Sequence, residues 1–343
     1  MTDSGPLVSV FIPAYNAEAF LGRTLESVSR QTYRDIEIVV VDDGSTDGTA
    51  GVIAEAARRD RRIRAVPGPH RGTAAARNLG ASMTAGDLLA PCDADDLWHP
   101  EKLARQVQAL ARAPANTGVV YCWSDGIDDD DRVIFPGWKR ATAQGNVFNA
   151  MVADSLPGCG SVPLIRRRSF QAAGGYPERS APNDDWPLFI ALAAICEFAV
   201  VPQALVGYRL RSDSVSGDYE LMERTLAADS EWIEETWPDT PRAVLRRRAY
   251  TVACYLSFLA ARRGDVLSAL RYRLRAVAAR PLELVSPAWV GFHYLWIAQL
   301  FGVRRYYWAL WKRPARWPDA VEVTAAASAG ASPATPARSA DGF

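Results

Sequence analysis

Apolar and polar positions change period in blocks along the first hundred residues. VSVFIP, from Val8 to Pro13, is a short β-rich run. Behind it Phe20, Leu21, Leu25 and Val28 recur at helical spacing, which predicts a helix through Gln31 with Asn16 placed to cap it. IEIVVVDD, from Ile36 to Asp43, is almost continuously apolar, as strands buried on both faces of a parallel sheet are. Asp47 then stands where it can cap a helix to about Arg59, and IRAV (Ile63 to Val66) gives a third strand. A helix around Thr73 to Thr84 precedes a fourth strand that ends in LLAP. Pro100 suits a first helical position, with Leu103, Val107 and Leu110 spaced four and three apart behind it. Such alternation predicts a parallel sheet, and ligands of these sheets gather at the carboxyl ends of the strands. The loops after strands one, two and four are therefore the places to search.

Beyond about Ala113 the pattern is mixed. GVVYCW and VIFPGW read as strands, and DDWPLFIALAAI as a helix beginning at Asp184. From Asp218 onward the periodicity is helical. Arg242 to Arg263 and Asp265 to Ala279 make a pair joined at Gly264 and stopped by Pro281. Between 242 and 280 that pair holds ten arginines against one acid, Asp265. This reads as a solvated face or as a surface that meets anionic lipid or an anionic acceptor. AWVGFHYLWIAQLFGV (Ala288 to Val303) falls short of the roughly 18 apolar residues of a spanning helix and carries His293 and Gln299. It reads as a buried or interfacial helix. The Ala/Ser/Pro-rich stretch VTAAASAGASPATPARSADGF is expected to be disordered.

Composition narrows the class. The 343 residues are 49% apolar and 23% charged, ordinary globular values that allow a sizeable core. Lys plus Arg and Asp plus Glu both number 39, so the basic excess of a nucleic-acid binder is missing. The cysteines at 92, 122, 159, 196 and 254 are odd in number and form no CxxC pair. That argues against a zinc site or a disulfide framework and fits small buried side chains in a reducing cytoplasm. MTDSGPL has no basic region followed by an apolar stretch and a cleavage site, so no signal peptide is expected.

One stretch resists a packing explanation. CDADDLW sets Asp93, Asp95 and Asp96 within four residues at the end of an apolar strand. Carboxylates withdrawn from water repel one another and are costly to bury, so either they face solvent or something positive meets them. Hard oxygen donors of this kind hold Mg²⁺ or Mn²⁺ together with substrate phosphates.

VSVFIPAYNAEAFLGRTLESVSRQTYRDIEIVVVDDGSTDGT followed by RGTAAARNLGASMTAGDLLAPCDADDLWHPEKL resembles the nucleotide-sugar half of family 2 glycosyltransferases. The resemblance continues through LIRRRSFQAAGGYPE, NDDWPLFIAL and VGYRLRSDSVS, so it covers roughly the first 217 residues. It implies the α/β GT-A fold: a Rossmann-like, mostly parallel sheet flanked by helices, here with a C-terminal helical extension. The organisation it suggests is a nucleotide-sugar-binding half at 1–112, an acceptor-binding half at 113–217, the extension at 218–317 and a disordered tail at 318–343. The implied activity is inverting, metal-assisted transfer of a sugar from a UDP-sugar, or another nucleotide-diphosphate sugar, to a hydroxyl acceptor. By the same resemblance Asp95 is the metal ligand and Asp93 faces the ribose and the metal, while Asp96 orients them or caps the next turn. Asp43 matches the position contacting the base, with Pro13, Ala14 and Tyr15 on the opposite wall, and Arg77 matches an arginine reaching the donor. Aligning Trp186 puts Asp185 on the general-base position, with Asp184 as second choice. One carboxylate suffices to take the acceptor proton, and direct attack without an enzyme nucleophile inverts the anomeric carbon.

The chain departs from the family pattern at Tyr208-Arg209-Leu210-Arg211. Arg211 stands where a histidine is common and could pair with the diphosphate, which puts strict metal dependence in question. Pro91 interrupts the strand before the acidic triplet and suggests an edge or a bulge. The QxxRW segment of processive synthases has only a chance echo in RPARW, Arg313 to Trp317, so single addition is favoured. His70 and His99 read as capping or surface residues. Trp98, Trp123, Trp138 and Trp186 could each pack in the core or stack on a sugar ring. The expected acceptor is a glycan, a lipid-linked or a small-molecule hydroxyl, met in the cytoplasm at the inner face of the cell membrane, with peripheral contact through the C-terminal helices. A non-catalytic nucleotide-sugar-binding protein is the alternative. A sugar-nucleotide pyrophosphorylase fits less well, because PAYNAEAF lacks a Gly-rich basic loop.

Overall fold

The computed structural model describes residues 5–180, 182–211, 218–281 and 316–318. The segment Ala288 to Val303 and the Ala/Ser/Pro-rich stretch lie outside them. The strands expected in the first third all form: β1 (Val8–Ala14), β2 (Ile36–Asp42), β3 (Ile63–Pro67) and β4 (Leu88–Pro91). They pair in parallel in the order β3-β2-β1-β4. Val10, Phe11, Ile12, Ile38, Val40 and Val41 are wholly buried, as continuous apolar strands covered on both faces should be. The coverage comes from α1 (Glu18–Ser29), α2 (Thr49–Arg59) and α3 (Thr73–Ser82).

Asn16 does not cap α1. Its Oδ1 accepts the Thr46 N–H at 2.9 Å, so it staples the β1–α1 loop to the β2–α2 loop. The free N–H groups of α1 are met from that second loop instead. Asp47 accepts the Glu18 N–H at 3.2 Å and Thr49 Oγ1 accepts the Ala17 N–H at 2.8 Å. In return Glu18 accepts the Gly48 N–H at 3.0 Å. The N-cap of α2 is Gly48 and not Asp47, but Asp47, one residue earlier, still accepts the first helical N–H, that of Thr49, at 3.0 Å.

Pro91 marks neither an edge nor a bulge. β4 is interior, between β1 and β8 (Leu164–Arg166). β8 pairs only with Leu88 and Leu89, while the Cys92 N–H returns to Phe11 O at 3.1 Å. Successive N–H groups alternate sides along a strand, so the donor that Pro91 lacks would point where β8 has already ended.

The sheet continues through antiparallel β8 into β6 (Thr117–Ile127), then β9 (Glu197–Arg209) parallel to β6, and the short β5 (Leu97–Trp98) antiparallel to β9. β7 (Val133–Lys139) pairs with the far half of β6. Helices α4 (Lys102–Arg112), α5 (Phe148–Ala153), α6 (Arg167–Ala172) and α7 (Asp185–Ile195) pack around this half. The sheet is thus all parallel through its first four strands and mixed beyond. β5 is what carries the exit of the acidic loop onto β9.

Among the described residues three helices follow, α8 (Tyr219–Thr236), α9 (Arg242–Arg262) and α10 (Val266–Ala279). Met222, Leu226, Ile233, Leu256 and Tyr272 belong to the same buried cluster as the sheet. Arg248 and Arg273 are buried, so two of the ten arginines are not solvated. Among the described residues no helix is long and apolar enough to cross a membrane. All five cysteines are free thiols, with Cys92, Cys122 and Cys159 buried. Arg316 and Trp317, read from the sequence as a chance echo, have a structural place. Trp317 is buried against Leu97 and Ile127, and its N–H donates to Asp131 O at 2.8 Å.

Candidate active site

The carboxyl ends of β1 and β2 form the first part of the site. Pro13 and Ala14 end β1, and Tyr15 stands half exposed beyond them. Asp43 is buried and its N–H donates to Ala14 O at 2.8 Å. Its two carboxylate oxygens accept the Arg71 N–H at 3.1 Å and the Gly72 N–H at 2.8 Å. Each oxygen keeps a lone pair for a further donor. His70 completes this group: its ring lies 4.5 Å from that of Tyr15, and its Nδ1 bonds Asp43 O at 2.8 Å. The sequence reading gave His70 a capping or surface role because it searched for the site only in the loops after strands one, two and four. The Gly/Pro-rich PGPHRG after β3 was the available signal.

The acidic turn is pinned residue by residue. The Asp93 N–H donates to Ser161 Oγ at 2.8 Å, Ala94 O accepts from Thr24 Oγ1 at 2.9 Å, and Asp95 O accepts from Arg209 Nε at 2.7 Å. Asp96 is fully buried; it accepts the Arg209 N–H at 2.9 Å and the Ser161 hydroxyl. Burial, then Asp95 and Asp93, push its carboxyl well above the usual range. Asp96 is therefore an internal strut of the turn. Asp93 and Asp95 remain half-buried at its surface. Arg211 stands 3.6 Å from Asp95 Oδ2, and the guanidiniums of Arg209 and Arg211 each lie 4.8 Å from the Phe20 ring. Phe20, grouped by spacing with the core face of α1, instead serves as a platform for these cations.

Arg77 joins the two halves. It is buried, with Nη1 2.6 Å from Asp184 Oδ1, Nη2 on Asp93 Oδ1 and its guanidinium over the Tyr176 ring at 5.2 Å. Burial alone would lower its pKa, but Asp184 and Asp93 raise it well above the ordinary value. A Cβ at position 160 would come 2.9 Å from Arg77 Nη2 and 3.3 Å from Asp93 Oδ2, so Gly160 lets the loop close over this pair. Asp184 is itself buried and committed to Arg77. Asp185, the first residue of α7, is half-buried and accepts its neighbour's Trp186 N–H at 2.8 Å. Burial, then the Asp184 carboxylate, lift Asp185 to about 7.

The donor set suits a hard divalent cation. Asp93, Asp95, Asp184 and Asp185 stand against the guanidiniums of Arg77, Arg211 and Arg209, the last already paired with Asp131, so carboxylates outnumber cations at the rim. The strain shows in Asp95, raised to about 6 by burial and by Asp93. Among the described residues no three His, Cys, Asp or Glu side chains form a cage that would hold a metal alone. Two carboxylates completed by substrate phosphates and water are the usual arrangement for Mg²⁺.

Residues 9–173 match the family model Glycosyl transferase family 2. Among relatives, the chain is 24% identical over 212 residues to a chondroitin synthase of Escherichia coli, covering 62% of this chain and 30% of that one. It is 31% identical over 175 residues to TuaG of Bacillus subtilis, named for teichuronic acid biosynthesis, covering 50% of this chain and 67% of the other. The chain thus spans under a third of the chondroitin synthase. Among solved structures it resembles the mannosyltransferase PcManGT of Pyrobaculum calidifontis in complex with GDP-Man and Mn²⁺. That likeness has TM-score 0.56 and 20% identity, over 90% of this chain and 88% of the other. It also resembles S. aureus TarS in complex with UDP-GlcNAc, with TM-score 0.52 and 17% identity, over 80% of this chain and 92% of the other. These likenesses establish the fold as GT-A.

Proposed function

Because the chain belongs to glycosyl transferase family 2, we propose that it moves one sugar from a nucleotide-diphosphate donor, a UDP-sugar in the first instance, to a hydroxyl acceptor with inversion. The observation that carries this reading is the buried Asp93–Arg77–Asp184 bridge. It fixes the acidic turn that would meet the diphosphate against the start of α7, so that Asp185 stands beside the same opening.

In this reading Asp43 accepts from the donor base, with Pro13, Ala14 and Tyr15 as the other wall and His70 beside them. Asp93 and Asp95 would hold Mg²⁺ or Mn²⁺, and such an ion neutralises the charge that gathers on a departing diphosphate. Arg211 lies close enough to Asp95 to share in binding the diphosphate. Asp185 takes the acceptor proton while the new bond from acceptor oxygen to anomeric carbon forms and the bond to the diphosphate oxygen breaks. Asp184, committed to Arg77, is less available for that task. A carboxyl held near 7 is matched to general-base work at neutral pH. The names of the teichuronic acid and chondroitin relatives favour cell-envelope or exopolysaccharide glycan assembly. A cytoplasmic position with peripheral contact at the inner membrane face suits that setting.

Two variants test the assignment. Asp185→Asn should keep donor binding, read by calorimetry with UDP and Mn²⁺, while transfer falls by about 10²- to 10⁴-fold. Asp95→Asn should weaken the Mn²⁺-dependent part of UDP binding. Loss of donor binding in Asp185→Asn, or full activity in Asp95→Asn, would reassign the residue concerned.

A further inference from the structure

Of the four tryptophans that could stack on a sugar, the structure buries Trp98 and Trp186 and leaves Trp123 and Trp138 half-exposed. Trp138 is held by an unusual piece of strand. Between the pairs Gly126↔Phe135 and Ser124↔Lys139 the register of β7 against β6 shifts, so β7 carries a bulge at Pro136-Gly137-Trp138. In a regular strand residues three apart face opposite sides. Here the rings of Phe135 and Trp138 meet at 5.8 Å. Gly137 supplies the turn with φ of 68°, a value that disfavours a side chain. The buried carboxylate of Asp125 fixes it by accepting the Gly137 N–H at 2.5 Å. Bulges of this kind re-aim side chains beside functional sites.

The re-aimed ring stands at the edge of the proposed cleft. Trp138 meets Tyr208 at 6.1 Å and Phe258 at 5.9 Å. Tyr208 precedes Arg209, which holds Asp96 and Asp95 of the acidic turn. Phe258 lies one helical turn from Tyr255 on α9. The loop that continues to Gly160, against Arg77 and Asp93, passes Lys139, with a Cβ at position 158 only 2.9 Å from the Lys139 Cβ. The aromatic group therefore packs on β9 one residue before the arginine that holds the acidic turn, on the side formed by β7 and α9.

We infer that Phe135 and Trp138 form the acceptor subsite, and that the acceptor is a saccharide whose pyranose ring lies on the Trp138 face. This rests on the glycosyltransferase reading and narrows it from any hydroxyl acceptor to a glycan. A pyranose presents a C–H face that packs on an aromatic ring, and the partly exposed Trp138 ring offers such a surface. A flexible lipid chain would instead call for an enclosed apolar groove. Arg140, over the Trp123 ring at 5.6 Å, stands at the same rim.

The test uses the full chain, radiolabelled UDP-sugars with Mn²⁺, and blocked tetrasaccharides built from hexose, N-acetylhexosamine and hexuronate units. Polyprenyl phosphate and a serine-rich peptide serve as competing acceptors. At least one tetrasaccharide should accept sugar and show saturation-transfer NMR contacts at its ring C–H protons. Trp138→Ala should raise that acceptor's KM by about three- to tenfold and weaken those contacts, while donor KM stays within about twofold. Trp138→Phe should fall between the two. Transfer to polyprenyl phosphate or peptide alone, or an acceptor KM unmoved in Trp138→Ala, overturns the inference. Failure to bind or turn over any nucleotide-sugar would instead defeat the glycosyltransferase reading beneath it.

Discussion

At the scale of single residues, charge crowding on one side of the cleft sets the chemistry. Asp185 sits near 7 because burial and then Asp184 disfavour its charged form, and Arg77 offsets only part of this. A base acts deprotonated, so kcat should rise with pH through about 7 and level off above it. Removing the neighbouring charge should make Asp185 easier to ionise. Asp184→Asn should therefore move the rising limb to lower pH. Asp95 also lies in this range, near 6, but a bound cation favours its ionised form, so saturating Mn²⁺ and donor should silence it. The measurement is kcat against pH under those conditions. A flat profile between pH 5.5 and 8.5 (roughly the span one unit and more either side of a neutral base) would remove Asp185 from the rate. So would a limb that Asp184→Asn leaves in place.

At the scale of elements, the loop into α7 is held from behind by helices distant in the sequence. Asp229 of α8 accepts from Ser180 Oγ and Asn183 Nδ2, each at 2.8 Å. Arg248 of α9 lies 4.2 Å from the Trp186 ring and donates to Ser230 Oγ at 3.0 Å and to Val152 O at 3.3 Å. Asp229→Ala leaves the buried Ser180 hydroxyl and the half-buried Asn183 amide without this acceptor, at about 1–3 kcal/mol for a buried unpaired group. It should lower the melting temperature and kcat while donor affinity holds, because none of these contacts reaches the Asp43 pocket. Asp229→Asn, which keeps one acceptor oxygen, should be milder; an unchanged kcat in Asp229→Ala would show that α8 does not position the base. None of this network is readable in the sequence, since hydrogen bonds across 46 to 107 residues leave no periodicity. What is readable is what burial enforces locally: the βαβα alternation, the apolar runs of β1 and β2, the carboxylates after β2 and β4 and the helical character from Asp218 onward. The capping of α1 escapes because its acceptors come from another loop. The strands beyond Ala113 blur because β6 divides one edge between β8 and β7 and because β7 bulges, so neither keeps a clean period.

At the scale of the whole molecule, the helical extension and the sheet share one buried cluster, so α10 is part of the same packed body as the cleft while its outer face is free of it. The outward face of α10 carries Val266, Leu267, Leu270 and Leu274, with Leu267 84% and Leu274 66% exposed. Beside them Arg271 and Arg275 both turn to Glu223, two guanidiniums against one carboxylate. An apolar stripe edged with excess positive charge suits the boundary of an anionic bilayer, where leucines enter the headgroup region and arginines stay at its level. Burying a leucine is worth about 1.5–3 kcal/mol when complete. Partial entry of two should still change vesicle affinity by about tenfold or more. Leu267→Asp with Leu274→Asp should therefore lose sedimentation with phosphatidylglycerol vesicles while donor KM in solution is unmoved, because neither residue lies near Asp43 or the acidic turn. Raising the salt should weaken binding of the parent chain, since part of the attraction is between exposed charges. If the double variant sediments as the parent does, the membrane contact is elsewhere or does not exist. If the variant instead loses soluble donor turnover in proportion, this face serves the fold and not a surface.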